Sequence, residues 1–193
     1  MPGPLPEFCC LGLFFFQEAA MQGVYEMGLT HVLSWEGGEV NDPRDPGGHT
    51  NKGVTQKTLD RVRWIYPDAG LPKSVSDLHD EHVQFIYRKE YWDKCRCSEL
   101  PAAVAVQVFD AAVNQGPTDA ITFLQKAAGA YVDGKIGPKT IAAANNCDSA
   151  KLAREFASHR GHDYALLDHL DDIYGLGWMR RLFACYDLAR SLI

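Results

Sequence analysis

The sequence predicts a mainly α-helical protein with a small β-hairpin or ordered loop after its first amphipathic helix. Two observations predict the helices: apolar residues recur at helical spacing, and residues 102–114 are apolar on nearly every side. The hairpin or loop is predicted by residues 39–55, where prolines and glycines are too frequent for a helix. With 193 residues, 46% of them hydrophobic, the chain can build one good core or two small ones.

The composition is that of an ordinary soluble protein, with 23% charged residues and a formal net charge of −6. This negative charge argues against electrostatic capture of nucleic acid and against a basic membrane-binding surface. We therefore expect no nucleic-acid partner. We also expect a monomer that needs no cofactor.

The first 26 residues include an unusual apolar run from Phe8 to Phe16. The run is too short to span a bilayer and lacks a basic leader region, so we expect neither a stable membrane span nor a signal peptide. Residues 1–26 are predicted to form a flexible or docking extension. A weak membrane anchor is the alternative, which the flanking charges of Glu7 and Glu18 disfavour.

The first amphipathic helix ends at a carboxylate that its own periodicity turns inward. Leu29, Val32 and Leu33 lie on one helical face, and Glu36 falls on the same face. The pair at residues 37–38 is Gly-Gly, which ends helices readily. Burial and the negative end of the helix dipole both favour an uncharged carboxyl group here. Such an acid can protonate the leaving oxygen of a glycoside, so the pattern indicates a glycosidase site.

The polar loop that follows offers partners for this acid. Its Asp-Pro and Asp-Pro-Gly-Gly segments are turn sequences. Small polar side chains of this loop can hold a water or a sugar hydroxyl opposite the acid. For Asp42 the alternative is that it only caps a turn. These polar residues are Asp42, Asp45, Thr50, Asn51 and Thr55.

A long string of residues in this region is far more specific than any dipeptide within it. It comprises Glu36-Gly37-Gly38, Asn41-Asp42-Pro43, Asp45-Pro46-Gly47-Gly48, Thr50-Asn51 and Gly53-Val54-Thr55. The string resembles the signature of glycoside hydrolase family 108, the N-acetylmuramidases of phage endolysins and of bacterial proteins once labelled secretion activators. The resemblance implies a lysozyme-like helical fold, with Glu36 as the catalytic acid.

The resemblance also extends to the spacing of phage-type lysozymes, where an aspartate and then a threonine follow the glutamate. Glu36 and Asp45 keep the first spacing, whereas Thr50 falls one residue early and Asn51 occupies the threonine's place. By this resemblance, Asp45 with Thr50 stabilises the cation-like sugar or positions the attacking water. The predicted catalytic residues are therefore Glu36, Asp45 and Thr50, within a catalytic part at residues 27–115.

The apolar helix predicted over residues 102–114 carries a single polar stripe of Gln107, Asp110 and Asn114. Because buried polar groups need partners, the stripe either lines a substrate cleft facing Glu36 or ties the helix to neighbouring backbone. We assign Asn114 to the cleft and Gln107 to the backbone. The predicted substrate-binding residues are Asp42, Asn51, Tyr91, Asp110, Asn114 and Gln115.

Residues 116–193 form a second predicted helical module. Its motif consists of Leu124-Gln125, Asp133-Gly134, Gly137 and Thr140. This helix, turn and helix pattern resembles the peptidoglycan-binding module that follows the catalytic segment in the same family. No serine- or proline-rich linker precedes it, so we expect it to pack directly on the catalytic part. We also expect the final helical region to break near Gly175 and Gly177.

Six cysteines show no repeated pair spacing, so free thiols are expected rather than a disulfide framework. Four potential zinc ligands occur in one region, at His79, His82, Cys95 and Cys97. Their spacing matches no common zinc motif. We therefore predict no metal site.

The sequence is compatible with two main functional classes. The favoured one is an endolysin-like peptidoglycan hydrolase that cleaves the β-1,4 bond between N-acetylmuramic acid and N-acetylglucosamine. The alternative is a non-catalytic cell-wall-binding or secretion-assisting protein, and lytic transglycosylation or action on chitin is a weaker third option. We expect synthesis in a bacterial host cytoplasm and action on the cell wall in the periplasm.

Overall fold

The computed structural model describes residues 8–36, 50–167 and 171–193. Within these ranges the chain forms eight α-helices and one two-stranded antiparallel sheet, which confirms the predicted mainly α-helical class with a small hairpin. The elements in chain order are α1 Phe8–Trp35, β1 Thr50–Asn51, β2 Val54–Thr55, α2 Gln56–Ile65, α3 Asp80–Tyr87, α4 Ala102–Asn114, α5 Pro117–Ala127, α6 Pro138–Asn145, α7 Ser149–Ala165 and α8 Asp171–Arg190.

The first helix is longer than the sequence suggested. Helix α1 runs without interruption from Phe8 to Trp35, and the side chains of Val24 and Tyr25 are buried in the core. Residues 8–26 are therefore helical, and the end of this segment has a core to pack against. The role of residues 1–26 as a flexible or docking extension or a weak anchor stays a prediction. No helix in the described ranges is both long and apolar enough to span a membrane.

The predicted hairpin is present and very short. Thr50 pairs with Thr55 and Asn51 with Val54, in antiparallel register. Lys52 and Gly53 connect the strands and both have positive φ, of 49° and 75°. Positive φ at both connecting residues is typical of a type I′ turn, whose twist matches the right-handed twist of the two flanking strands.

Helix α4 is the centre of the molecule, as its all-round apolar sequence predicted. Residues 103–112 are all buried, and the helix contacts α1, α5, α7 and α8. Alanines on several sides let the neighbouring helices approach it closely. One continuous apolar core therefore joins the catalytic part and the second module.

The last two helices lie against each other and against α4. Contrary to the expected break, α8 continues through Gly175 and Gly177. Leu182, Cys185 and Ala189 form a buried stripe further along the same helix. Packing along such a stripe outweighs the helix penalty of about 1 kcal/mol for each glycine.

Candidate active site

Glu36 directly follows the last residue of α1 and is partly buried. Its side chain is 23% exposed, and its backbone N–H donates a hydrogen bond to Leu33 O at 3.3 Å. The inward orientation expected from the periodicity of α1 agrees with this burial. A carboxyl group in this position is shielded from bulk water but remains accessible.

The turn of the hairpin lies against the Glu36 carboxyl group. A Cβ atom placed on Gly53 would lie 3.0 Å from Glu36 Oε2 and would collide with the hydroxyl of Tyr87. That hydroxyl donates a hydrogen bond to the backbone oxygen of Lys52 at 3.1 Å. Glycine at position 53 therefore serves both the positive φ of the turn and its close approach to the acid.

Two tyrosines on the helical segment 80–92 complete this side of the site. The rings of Tyr87 and Tyr91 are 5.5 Å apart. Burial raises the pKa of Tyr87, and the negative charge of Glu36 raises it further. Burial also raises the pKa of Tyr91, with added contributions from Glu90 and Glu36. Both phenols are therefore neutral hydrogen-bonding groups close to the acid.

On another side Glu36 meets a cation that the sequence analysis did not identify. Arg181 of α8 donates from Nη1 to Glu36 Oε1 at 3.2 Å and from Nε to Asp110 Oδ1 at 2.9 Å. The Arg181 side chain is only 8% exposed. An uncharged Glu36 was predicted from burial and the helix dipole alone, without this neighbouring cation.

Asp110 was predicted to bind substrate, and the structure contradicts direct contact. Its side chain is fully buried. Arg160 Nη1 donates to Oδ2 at 2.6 Å, while Oδ1 accepts from Arg181 and lies 3.6 Å from His31 Nε2. A carboxylate buried in the core must be paired, and here two arginines from α7 and α8 pair it. Asp110 therefore contacts Glu36 only indirectly, through Arg181.

The other polar residues of α4 also have internal partners. Asn114 Oδ1 accepts from the hydroxyl of Tyr164 at 2.5 Å. Gln115 accepts from Arg160 Nε at 2.8 Å and donates to Asp163 at 2.8 Å. Both are partly exposed, and their binding of substrate stays a prediction. Gln107 donates to the backbone oxygen of Ala153 at 3.1 Å, which confirms its predicted tie to neighbouring backbone.

The remaining loop residues divide between the hairpin and the part outside the described ranges. Asn51 is 9% exposed, and its amide donates to the backbone oxygen of Val75 at 2.8 Å, so its nitrogen anchors the hairpin. Thr50 lies in β1 and is partly buried. Asp42 and Asp45 lie outside the described residues. The roles of Asp42, Asp45, Thr50 and Asn51 therefore stay predictions.

The cysteines that can be described are free thiols, as expected. Cys95, Cys97 and Cys185 are buried and Cys147 is partly buried, with no disulfide among them. Burial raises the pKa of Cys95 to about 12 and raises those of Cys97 and Cys185 as well. Thiols in such surroundings are poor nucleophiles.

One group of three potential metal ligands occurs among the described residues, formed by His31, Asp110 and Cys185. Because Arg160 and Arg181 already bind the carboxylate oxygens of Asp110, a further cation would be repelled. The zinc set considered from the sequence does not form such a group in the described part.

Tyr87, Arg160 and Arg181 are the residues of this centre that sequence reasoning missed. Arg181 falls between Trp178 and Cys185 on the helical face that carries the apolar residues of α8. Arg160 likewise follows Phe156 by four residues on α7, on the face that carries the buried residues of that helix. In each helix, a single arginine on an otherwise apolar face was the sequence signal that could have indicated a buried ion pair.

A helical core with a partly buried acid after its first helix and a short hairpin beside that acid defines a lysozyme-like protein. Comparison with known proteins identifies the family. The family model described as Glycosyl hydrolase 108 matches residues 29–116, and the one described as Predicted Peptidoglycan domain matches residues 119–183. The chain also matches the solved structure titled "Structure of Brucella abortus SagA", at 32% identity and a TM-score of 0.74, over 89% of this chain and 96% of that one.

The chain therefore belongs to glycosyl hydrolase family 108, and the resemblance seen in its sequence is confirmed. A comparison with curated proteins found no match. The two matched regions together define a peptidoglycan-related hydrolase, with peptidoglycan as the ligand of its second region.

Proposed function

We propose that this protein hydrolyses the β-1,4 bond between N-acetylmuramic acid and N-acetylglucosamine in bacterial peptidoglycan, with Glu36 as the general acid. One observation carries the proposal: the Glu36 carboxyl is 23% exposed, at the end of α1, between Arg181 and the hairpin turn. Glycoside cleavage needs a proton on the leaving sugar oxygen, and a partly shielded carboxyl group can deliver it.

The two oxygens of Glu36 have different surroundings, which supports a division of roles. Oε1 accepts from Arg181, whereas Oε2 faces Gly53 of the hairpin turn. We assign proton donation to Oε2. In this proposal Asp45 with Thr50 stabilises the cation-like sugar or positions the attacking water.

Substrate contacts in this proposal come from both sides of the acid. Tyr91 lies close enough to Glu36 for that residue to contribute to the raised pKa of the tyrosine. Its ring offers an apolar face to a sugar. Asn114 and Gln115 are partly exposed at the end of α4. The proposed substrate-binding residues are Asp42, Asn51, Tyr91, Asn114 and Gln115.

A non-catalytic wall-binding or secretion-assisting role is the second candidate. It is favoured by the match of residues 119–183 to a peptidoglycan domain, which accounts for wall binding without turnover. The two functions differ in whether Glu36 matters for clearing of cell walls.

The test compares wild type, Glu36→Gln and Glu26→Gln on purified peptidoglycan. Glu26 lies on the same helix and is exposed, so its variant is the matched control. Turbidity loss and release of reducing ends measure cleavage, and sedimentation with peptidoglycan measures binding. We expect Glu36→Gln to lower the rate by about 100- to 10,000-fold, because general acid catalysis supplies that much. Binding is expected to stay unchanged, and Glu26→Gln to behave as wild type.

Equal clearing by wild type and Glu36→Gln would contradict the catalytic role of Glu36. Binding without clearing by wild type would leave the second candidate. Mass spectrometry of the products separates hydrolysis, which leaves a reducing end, from transglycosylation, which leaves an anhydro end.

A further inference from the structure

We propose that Arg181, which is supplied by the region matching the peptidoglycan domain, is a positioning residue for Glu36. The second module is then part of the catalytic machinery as well as a means of holding the cell wall. This inference rests on the proposed function of Glu36 as the general acid.

The geometry of Arg181 is that of a clamp between two carboxylates. Its Nε donates to Asp110 Oδ1 at 2.9 Å while its Nη1 donates to Glu36 Oε1 at 3.2 Å. A guanidinium is planar and presents donors in a fixed fork, so one side chain sets both distances at once. The Glu36 side chain directly follows the end of α1, and its hydrogen bond from Arg181 restricts its rotamers.

Arg181 is itself held in place from behind. Asp110 is fully buried, and its second oxygen accepts from Arg160, whose side chain is 2% exposed. Arg160 also donates to Gln115 and to the hydroxyl of Tyr164. A guanidinium with this many partners in the core has little freedom to move.

Acidic and basic side chains alternate along the contacts Glu36, Arg181, Asp110, Arg160. Charges taken out of water need paired partners, and the buried carboxylate of Asp110 pairs with both guanidinium groups. Removing one charge leaves a neighbour unpaired. The set therefore favours one arrangement of the acid.

The set of charges crosses the boundary between the two matched regions. Glu36 and Asp110 lie within residues 29–116, and Arg160 and Arg181 lie within residues 119–183. Wall binding by the second module does not by itself require the contact between its Arg181 and Glu36. The competing explanation is that the ion pairs only hold the two parts together, and it predicts lower stability with unchanged turnover in the folded protein.

The test uses the full chain with Arg181→Met, Arg181→Lys and, as the matched control, Arg180→Met. Arg180 is the neighbouring residue on α8 and is exposed. The readouts are kcat and KM on soluble peptidoglycan fragments, sedimentation with intact peptidoglycan, and the Tm of each variant.

We expect Arg181→Met to lower kcat about 100-fold, the cost of a small misplacement of a catalytic group. KM is expected to stay within about twofold, since uniform binding is not lost. Arg181→Lys keeps the charge but not the fork, so its kcat should lie between those of wild type and Arg181→Met. Arg180→Met should match wild type.

A folded Arg181→Met variant with the kcat of wild type would overturn the inference. Where Arg181→Met does not fold, Arg181→Lys decides: a lower kcat at the Tm of wild type supports the positioning role, and an unchanged kcat overturns it. Inactive wild type, or equal activity of wild type and Glu36→Gln, removes the proposed function and this inference with it. Active wild type, inactive Glu36→Gln and fully active Arg181 variants remove the inference alone.

Discussion

Two of the buried polar clusters in the described part of the protein differ in the group at their centre and in the distance along the chain between their members. The first cluster surrounds the neutral amide of Gln125, and its partners lie within residues 125–140. The charged cluster joins Glu36, Arg181, Asp110 and Arg160; the residue numbers of Asp110 and Arg160 differ by 50, and those of Glu36 and Arg181 differ by 145.

The Gln125 side chain is 1% exposed and organises the loop between α5 and α6. Its Oε1 accepts from the backbone N–H groups of Asp133 and Gly134 at 3.0 and 2.9 Å. Its Nε2 donates to Asp133 Oδ1 at 2.8 Å and to the backbone oxygen of Lys135 at 3.0 Å. The hydrogen bond from Gln125 also holds the pKa of Asp133 below its ordinary value.

The comparison separates two uses of buried polar groups. An amide with local partners forms hydrogen bonds to the backbone polar groups of one loop. The sequence motif around Gln125 in the second module therefore stabilises the conformation of that loop. Charged groups with distant partners tie α4, α7 and α8 together next to the acid that follows α1. The first use predicts an effect on stability alone, and the second predicts an effect on both stability and turnover.

The largest effect on stability is expected from Asp110→Asn. Without this charge, Arg160 and Arg181 lose their shared partner in the core, and breaking a buried ion pair costs about 3–5 kcal/mol. Urea unfolding measures the loss, with the exposed Asp187→Asn on α8 as control. Turnover should fall as well, because Arg181 loses its anchor. A variant as stable and active as wild type would show that the charge of Asp110 contributes neither to the free energy of unfolding nor to turnover.

A smaller loss of stability is expected from Gln125→Leu. The backbone groups of Asp133, Gly134 and Lys135 lose their partner, and an unsatisfied buried polar group costs about 1–3 kcal/mol. Urea unfolding again measures the loss, with the exposed Gln84→Leu on α3 as control. The kcat of the folded variant should equal that of wild type. A fall in kcat comparable to that of Asp110→Asn would erase the contrast between the clusters.

The smallest expected effect is on the pH dependence of stability, through His31. Burial lowers the pKa of His31 from its ordinary value of 6.5; Asp110 opposes this shift, and Arg181 and Arg160 reinforce it. The buried thiol of Cys185 also faces this group. Because the unfolded chain binds a proton on His31 more readily than the folded one, stability is full above pH 6.5 and falls as the pH drops below that value.

Measurement of Tm from about pH 8 to about pH 5 tests this expectation across the range where histidine titrates. His31→Gln should lose less stability on acidification than wild type. Two control variants should show the same slope of Tm against pH as wild type. They are Gln125→Leu, which leaves the charged cluster intact, and His162→Gln, at an exposed position. A His31→Gln variant with the same slope as wild type would assign the acid sensitivity to other groups.

Much of the fold was predictable because its signals are local. The inward turn of Glu36 follows from three apolar residues within one helix, and the hairpin follows from a run of prolines and glycines. The burial of α4 follows from its all-round apolar sequence. Each of these predictions needs only a residue and its near neighbours.

The candidate site was predictable only in part. Its acid and Tyr91 were identified, but Asp110 was assigned to the substrate cleft although it pairs with Arg160 and Arg181. Nothing in the periodicity of α4 says which helix supplies the partner of its one carboxylate. The helical segment at residues 8–26 was missed for the same reason, since its last turns are buried by other parts of the chain.

The sequence by itself determined the helical class, the family and the acid at the end of the first helix, because local spacing sets which face of a helix is apolar and where the helix stops. Only the tertiary structure decided that Arg181 of α8 meets Glu36 and that Asp110 lies between two arginines. Ion pairs over such separations depend on how whole helices pack. Helix packing is a collective result of the core, and no short segment encodes it.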